Sequence, residues 1–125
     1  MERKTFFSTL RDSVRTLDAT AFICIVGDFN CTICPSVDGN GHEPHAASTK
    51  VLEDTIKIFC FDDVWRSQHP LLRCYTWCRC NDGMMSMARL DRFYVNKLMP
   101  NVVSSTQIVP TEFTDHSLMS QMSFC

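Results

Sequence analysis

An uninterrupted apolar run between two stretches of helical periodicity constrains this fold more than any other feature. The run, residues 21–26, is rich in β-branched and aromatic side chains and predicts a strand that is covered on both faces and ends at Gly27. Ahead of it, residues 5–17 place apolar side chains three and four positions apart, and residues 46–59 do the same behind it. This order of helix, strand and helix predicts a mixed α/β fold.

The C-terminal half is predicted to consist mainly of strands. Four stretches have strand character: 73–79, 87–95, 101–109 and 117–124. Asn81-Asp82-Gly83 supplies a hairpin turn between the first two. Residues 32–43 are rich in Gly, Pro, Asp and Asn and predict an irregular surface loop. With 125 residues, 45% of them apolar and 21% charged, the chain fits one globular domain at most.

The net charge of −2 hides a local excess of basic side chains. Residues 63–97 hold six basic and three acidic side chains, so this segment is positive in an otherwise acidic chain. The longest apolar run has six residues, far short of the roughly 20 of a membrane helix, and the first residues lack the apolar stretch of a signal peptide. We therefore expect an intracellular protein, nuclear or cytoplasmic, with no membrane partner. Its eight cysteines would then be reduced thiols or metal ligands.

Acidic and amide side chains stand on or at the ends of the predicted strands. Asp28 and Asn30 follow the apolar run, where open α/β sheets collect catalytic groups, although Asp and Asn are also ordinary turn formers. Asp91 lies within the strand predicted at 87–95, and its alternative role is a salt bridge on the polar face of an edge strand.

Asp115 and His116 form the most distinctive local signal. They belong to Thr-Asp-His-Ser at 114–117, in the connection between two predicted strands, and such a pair read alone is more often solvated than catalytic. Taken together, three carboxylates, one amide and one imidazole suit oxygen-ligated Mg²⁺ and phosphoryl chemistry.

Five motifs follow one another along the chain. They are Gly-Asp-Phe-Asn at 27–30, Asp-Val-Trp-Arg at 63–66 before His-Pro at 69–70, Tyr-Thr-Trp at 75–77, Ser86 with Arg-Leu-Asp-Arg-Phe-Tyr-Val at 89–95, and Thr-Asp-His-Ser at 114–117. In this order they resemble the endonuclease/exonuclease/phosphatase superfamily, the fold of DNase I. They are most similar to the endonuclease domain of LINE-type non-LTR retrotransposons, which usually has Ser where Thr114 stands.

The resemblance implies a catalytic role for each matching residue. Asp28 would activate or protonate at the scissile phosphate, and Asn30 would orient the attacking water. Asp115 would help to hold Mg²⁺, with Mn²⁺ as a substitute. Asp91 would orient His116, whose imidazolium would stabilise the pentacovalent phosphate.

The resemblance also implies double-stranded DNA as the substrate. Thr76 and Trp77 would lie beside the catalytic site, and Arg66, Arg73 and Arg79 are candidates for contacts with the DNA backbone. For these arginines a solvated protein surface is the alternative.

The match covers only part of the family's domain, because Gly-Asp-Phe-Asn lies near the middle of that domain. Residues 1–125 would then be a partial domain, the C-terminal half of a DNase I-like four-layer α/β/β/α sandwich without its N-terminal half. That other half supplies a metal-binding Glu, so we expect little or no DNA nicking from these residues alone. One sheet would also lack its partner, and we expect the isolated chain to self-associate through the uncovered face.

Two other functions stay open. Cys-x-x-Cys at 31–34, together with Cys74, Cys78 and Cys80, could form the zinc site of an interaction module. The second cluster lacks the Cys-x-x-Cys spacing, and Cys78 and Cys80 would share one face of a strand. The superfamily also includes enzymes of inositol phosphates and phospholipids, but the motifs at 63–66 and 89–92 favour its nucleic-acid branch.

Overall fold

The chain combines helices and antiparallel strands, as the predicted mixed α/β fold requires, with all the described helices before residue 69 and mainly strands after it. The structure, a computed structural model, describes residues 3–18, 20–96, 103–109 and 118–124. Within these ranges the helices are α1 (Arg3–Arg15), α2 (Pro35–Asp38), α3 (Ala46–Ile58) and α4 (Val64–Gln68). The strands are β1 (Cys24–Asp28), β2 (Phe61–Asp63), β3 (Trp77–Asn81), β4 (Met84–Ala88), β5 (Asp91–Asn96), β6 (Val103–Val109) and β7 (Leu118–Phe124).

A three-stranded sheet in the order β1–β5–β2 holds the candidate site. Strand β5 is central and antiparallel to both neighbours. The two long helices pack on one another, and their apolar stripes meet one face of this sheet, as the periodicity of residues 5–17 and 46–59 predicted. The buried core comprises Phe7, Val14, Phe29, Cys31, Leu52, Phe61 and Tyr94. Each large apolar side chain buried there stabilises the fold by roughly 1.5–3 kcal/mol.

Strand β1 differs from its prediction in position and in burial. It begins at Cys24 and runs through Gly27 to Asp28, and its C-terminal part is exposed. Ile25 packs on the core, but Val26 points to the opposite face and is 57% exposed. The expectation of a strand covered on both faces is therefore wrong for this end, because the strand is exposed from Val26 onward.

The single strand predicted at 87–95 is in fact two strands in different sheets. Strand β4 ends at Ala88 and pairs with β3, whereas β5 begins at Asp91 and pairs with β1 and β2. Between them the Arg89 N–H donates to the Asp38 carbonyl over 2.7 Å, and the Leu90 N–H donates to Thr76 Oγ1 over 2.9 Å. These hydrogen bonds end the pairing with β3 and direct the chain into the second sheet. Strand β5 is central, but β2 pairs only with residues 94–96, so at Asp91 the described neighbour is β1 alone, and the salt-bridge alternative for Asp91 stays open.

The remaining strands form two hairpin-like pairs. Strands β3 and β4 meet at Asp82 and Gly83, both with positive φ (51° and 78°), which confirms the predicted turn, although β3 starts at Trp77 and not at 73. Strands β6 and β7 pair antiparallel with two register shifts and confirm strands at 103–109 and 118–124, within the predicted stretches 101–109 and 117–124. Among the described residues, no helix has the length and apolar character needed to cross a membrane.

Candidate functional site

Two of the predicted catalytic carboxylates face each other across the sheet. Asp28, the last residue of β1, is the register partner of Asp91, the first residue of β5. The Phe29 N–H donates to the Leu90 carbonyl over 2.9 Å, so 29 and 90 are a hydrogen-bonded pair and 28 and 91 form the narrow pair beside them. In such pairs the Cα atoms are about 4.5 Å apart, and the side chains project from the same face. The structure therefore brings Asp28 and Asp91 together.

A tight turn places Asn30 next to this pair. The Asn30 N–H donates to Asp28 Oδ1 over 2.8 Å, and Asn30 has a φ of 54°, a left-handed conformation that asparagine tolerates. Gly27 has a φ of 152°, which residues with a side chain rarely adopt, so the motif needs glycine there. Asp28 and Asn30 line an open cleft of about 370 Å³ together with Arg3 and Phe6 of α1. The turn-forming and the catalytic interpretation of this motif are thus compatible.

Thr76 holds the backbone next to the carboxylate pair. It is completely buried, and its Oγ1 accepts hydrogen bonds from the backbone N–H groups of Leu90 (2.9 Å) and Asp91 (3.1 Å). The hydroxyl thus fixes the first residue of β5. Its neighbour Trp77 is half-buried and lines a second cleft, of about 190 Å³, which also includes Asn30.

A buried cluster of two arginines and two aspartates anchors the same end of β5. Arg89 is 1% exposed, and its Nε and Nη2 donate to the two carboxylate oxygens of Asp38 over 2.7 and 3.1 Å. Its Nη1 and Nη2 donate to the oxygens of Asp63 over 3.1 and 2.6 Å. Arg66 Nη2 also donates to Asp38 Oδ1. The guanidinium carbons of Arg66 and Arg89 lie 4.9 and 5.1 Å from the centre of the Trp65 ring.

The electrostatics of this cluster favour the charged forms of Asp38 and Arg89. Burial alone would raise the pKa of Asp38, but the hydrogen bonds and charges of Arg89, and then of Arg66, outweigh burial and hold that pKa below its usual range. For Arg89, burial lowers the pKa, and the carboxylates of Asp38 and Asp63 raise it above its ordinary value. Asp63 Oδ1 additionally accepts from the Arg66 N–H over 3.3 Å, capping α4.

Another buried arginine supports the turn from the core side. Arg92 is 1% exposed, and its Nη1 donates to the Cys31 carbonyl over 2.6 Å. Its guanidinium carbon lies 5.0 Å from the centre of the Phe29 ring and 5.6 Å from that of Tyr94. Burial raises the pKa of the Tyr94 hydroxyl above its ordinary value. Arg89 and Arg92, which belong to the basic segment 63–97, are thus buried and bind groups in the interior of the protein.

The predicted DNA-contacting arginines have different environments. Arg73 and Arg79 are exposed. Arg66 has a side chain only 19% exposed, and its Nη1 donates to the carbonyls of Leu72 (2.8 Å) and His69 (3.0 Å) besides its contact with Asp38. Within this structure Arg66 ties the segment after α4 to the buried cluster.

Sequence reasoning missed Asp38 as a member of the buried cluster. It lies in the stretch predicted as an irregular loop, where Asp is an ordinary turn former, and the structure folds its surroundings into the short helix α2. Its partner Arg89 is 51 positions further along the chain. A local signal existed only for Asp63 and Arg66, which share the Asp-Val-Trp-Arg motif.

The remaining site predictions concern metals. Thr114, Asp115 and His116 lie outside the described residues, so Asp115 stays a predicted Mg²⁺ ligand and His116 a predicted catalytic group. Among the residues that the structure does describe, no group of three His, Cys, Asp or Glu side chains is arranged to hold a metal ion. Cys31 is buried and Cys34 is exposed, so the described part of the chain gives no support to the zinc alternative.

Comparison with known proteins indicates the origin of the chain. No family model matches it. It is 34% identical over 119 residues to the "Transposon TX1 uncharacterized 149 kDa protein" of Xenopus laevis. The match covers 95% of this chain but only 9% of that protein, so the chain spans a small part of its relative's length. This similarity supports a transposon-related origin.

Proposed function

We propose that these residues form part of a Mg²⁺-dependent endonuclease domain that nicks double-stranded DNA by hydrolysis of a phosphodiester. The observation that carries the proposal is the facing pair of Asp28 and Asp91 at the exposed edge of the sheet, with Asn30 beside it. Similarity to a transposon protein agrees with such a role, because insertion of a mobile element requires a break in DNA.

The carboxylate pair has the chemistry that such a site needs. Two carboxylates opposite one another present several oxygen atoms at one place, and oxygen atoms are the ligands that a hard divalent cation prefers. When bound, Mg²⁺ would polarise the phosphoryl oxygens of the substrate. Asp115 is the proposed ligand, and Asp28 and Asp91 supply the negative field that attracts a cation to this edge.

The protein residues then divide the remaining work. Asp28 would exchange the proton at the scissile phosphate, and Asn30 would orient the attacking water. Asp91 would orient His116, whose imidazolium would stabilise the charge that develops on phosphorus oxygens. Asp91 can do so only from a fixed position, which the Thr76 hydroxyl provides.

Substrate contacts would come from an aromatic ring and from exposed arginines. Trp77, half-buried in the cleft beside Asn30, offers a flat apolar surface to a sugar or base, and the exposed Arg73 and Arg79 offer charge to phosphates. Arg66 would contribute by holding the segment 69–72 in place.

A paramagnetic cation tests the proposed site in the chain itself. Substoichiometric Mn²⁺ should broaden the backbone amide NMR signals of residues 28, 30 and 91 before others, because the carboxylate pair concentrates the cation there. Asp28→Asn should remove this selectivity, and Asp12→Asn, which changes an exposed carboxylate on α1, should leave it unchanged. The proposal would be contradicted if Mn²⁺ did not broaden the amide signals of residues 28–30 and 91 before those of other residues.

Incubation with supercoiled plasmid and Mg²⁺ tests the activity. We expect little or no nicking from these 125 residues, because no Glu in them matches the metal-binding Glu of the family. Robust nicking that Asp28→Ala abolishes would establish the endonuclease function and overturn the expectation that this segment is inactive by itself.

A further inference from the structure

The β3–β4 hairpin carries four sulfur-containing side chains on one face. Cys78 is the register partner of Met87, and Cys80 is the register partner of Met85. Because side chains alternate between the faces of a strand, these four project from the same side, whereas Met84 projects from the other. None of the four has a role in the proposed nuclease site.

The register brings the sulfur atoms of each pair close together. The Met87 N–H points away from β3 and donates to Asn40 Oδ1 over 3.4 Å, so Met87 and Cys78 are not a hydrogen-bonded pair. Two positions further along, Met85 and Cys80 have the same relation. In pairs of this kind the Cα atoms are about 4.5 Å apart and the side chains are closest.

The two cysteines are available as thiols. Cys78 and Cys80 are free and exposed. Two positions on one strand place their Cβ atoms roughly 6.6 Å apart, well beyond the ~3.5–4.5 Å that a disulfide between them would need. A single ion midway between them could still be reached by both sulfurs. Met85, which is 55% exposed, lies directly across from Cys80.

We propose that Cys78, Cys80, Met85 and Met87, the sulfur face, bind one Cu(I) ion. Thiolate and thioether ligands are soft and select Cu(I), whereas the oxygen ligands of the nuclease site select Mg²⁺. Zinc sites in proteins use Cys, His and carboxylate ligands, so two thioethers argue against zinc. On binding, each cysteine releases its proton to solvent and the thiolate coordinates the metal, with no change in the oxidation state of copper or sulfur. The ion would bridge β3 and β4.

Anaerobic competition against the chromophoric chelator bicinchoninate measures this affinity. The reduced chain should withdraw one equivalent of Cu(I) from the chelator. Cys78→Ser and Cys80→Ser should each weaken binding by about tenfold or more, which corresponds to at least ~1.4 kcal/mol. Met85→Leu should weaken binding in the same direction but less, since a thioether is a neutral and weaker ligand than a thiolate.

Matched variants separate the sulfur face from adventitious thiol binding. Cys34→Ser removes an exposed thiol elsewhere, and Met84→Leu removes a thioether from the opposite face of the hairpin, so both should bind Cu(I) as the unchanged chain does. X-ray absorption of the loaded chain should show sulfur ligands only. The proposal fails if the chain does not compete, if Cys34→Ser weakens binding as much as Cys78→Ser, or if Met84→Leu matches Met85→Leu. Far-ultraviolet circular dichroism of each variant shows that it has folded.

Discussion

Arg89 and Asp91 are two residues apart on the chain, and they belong to two groups of charged side chains with opposite arrangements. Arg89 belongs to a buried cluster in which positive and negative groups alternate, with Asp38 on one side and Asp63 on the other. Asp91 faces Asp28, a group of the same sign, at an edge where Asp28 is exposed. The first arrangement offsets the cost of burying charge, whereas the second places two carboxylates of the same sign opposite each other.

The buried cluster stabilises the site, whereas the facing carboxylates are the groups proposed to function in it. Favourable pairing in the buried cluster, together with the Thr76 hydroxyl, fixes the start of β5. Like charges directly opposite each other repel, so the facing carboxylates should contribute less to stability than the buried cluster does. Under the proposed endonuclease function, this pair attracts the cation. The two groups should respond differently to substitution.

The largest effect is expected from Arg89→Leu. Leucine fills part of the space but leaves the carboxylates of Asp38 and Asp63 without the guanidinium that bridges them, and removing one partner of a buried ion pair costs about 3–5 kcal/mol. Urea denaturation followed by circular dichroism should show this loss in the free energy of unfolding.

Arg15→Ala is the matched control for a lost arginine. The Arg15 side chain is 59% exposed and pairs with Asp12 at the surface, so its removal should cost roughly 0.5 kcal/mol or less. A similar loss for both arginine variants would mean that the buried cluster does not stabilise the fold beyond an ordinary surface pair.

A smaller and pH-dependent effect is expected from Asp38→Asn. The pKa of Asp38 is lower in the folded chain than its ordinary value of 3.8, so its contribution to stability is present above that value and is lost as the pH falls through the lower, folded pKa. The variant loses charge-assisted hydrogen bonds and should be less stable than the original chain by about 1.5–3 kcal/mol at pH 7. The gap should narrow below about pH 4.

Denaturation curves at pH 7 and at pH 3 measure that gap. Asp12→Asn, at an exposed position, should show a small effect at both values. A gap for Asp38→Asn that is constant or grows toward pH 3 would contradict the assigned direction of the pKa shift.

Local patterns in the sequence predicted the elements but not how they combine. The apolar stripe of residues 5–17 gives α1, and Asp82-Gly83 gives the hairpin turn, because each depends on neighbours a few positions apart. The break between β4 and β5 depends on Asp38 and Thr76, which lie 51 and 14 positions from their partners. The alternating pattern of residues 87–95 carries no information about those distant partners. It therefore predicts a single strand.

The candidate site shows the same division. The motif at 27–30 and the position of Asp91 were visible as candidates, since strand ends collect functional groups. That Asp28 and Asp91 face each other follows from the register of β1 on β5, a non-local property. The sequence also did not show that Arg89 and Arg92 are buried, because charge counts along a segment do not distinguish exposed from buried cations.

The smallest effect on stability is expected from Asp28→Asn. Asparagine keeps an oxygen that can accept the Asn30 N–H and removes one of two facing negative charges, so the free energy of unfolding should change by less than about 1 kcal/mol. The same urea titration that reports a severe loss for Arg89→Leu should therefore place Asp28→Asn close to the original chain, while its selective Mn²⁺ broadening disappears. If Asp28→Asn destabilises the chain as strongly as Arg89→Leu does, the exposed pair belongs to the folding framework, and the contrast between a structural cluster and a functional pair is wrong.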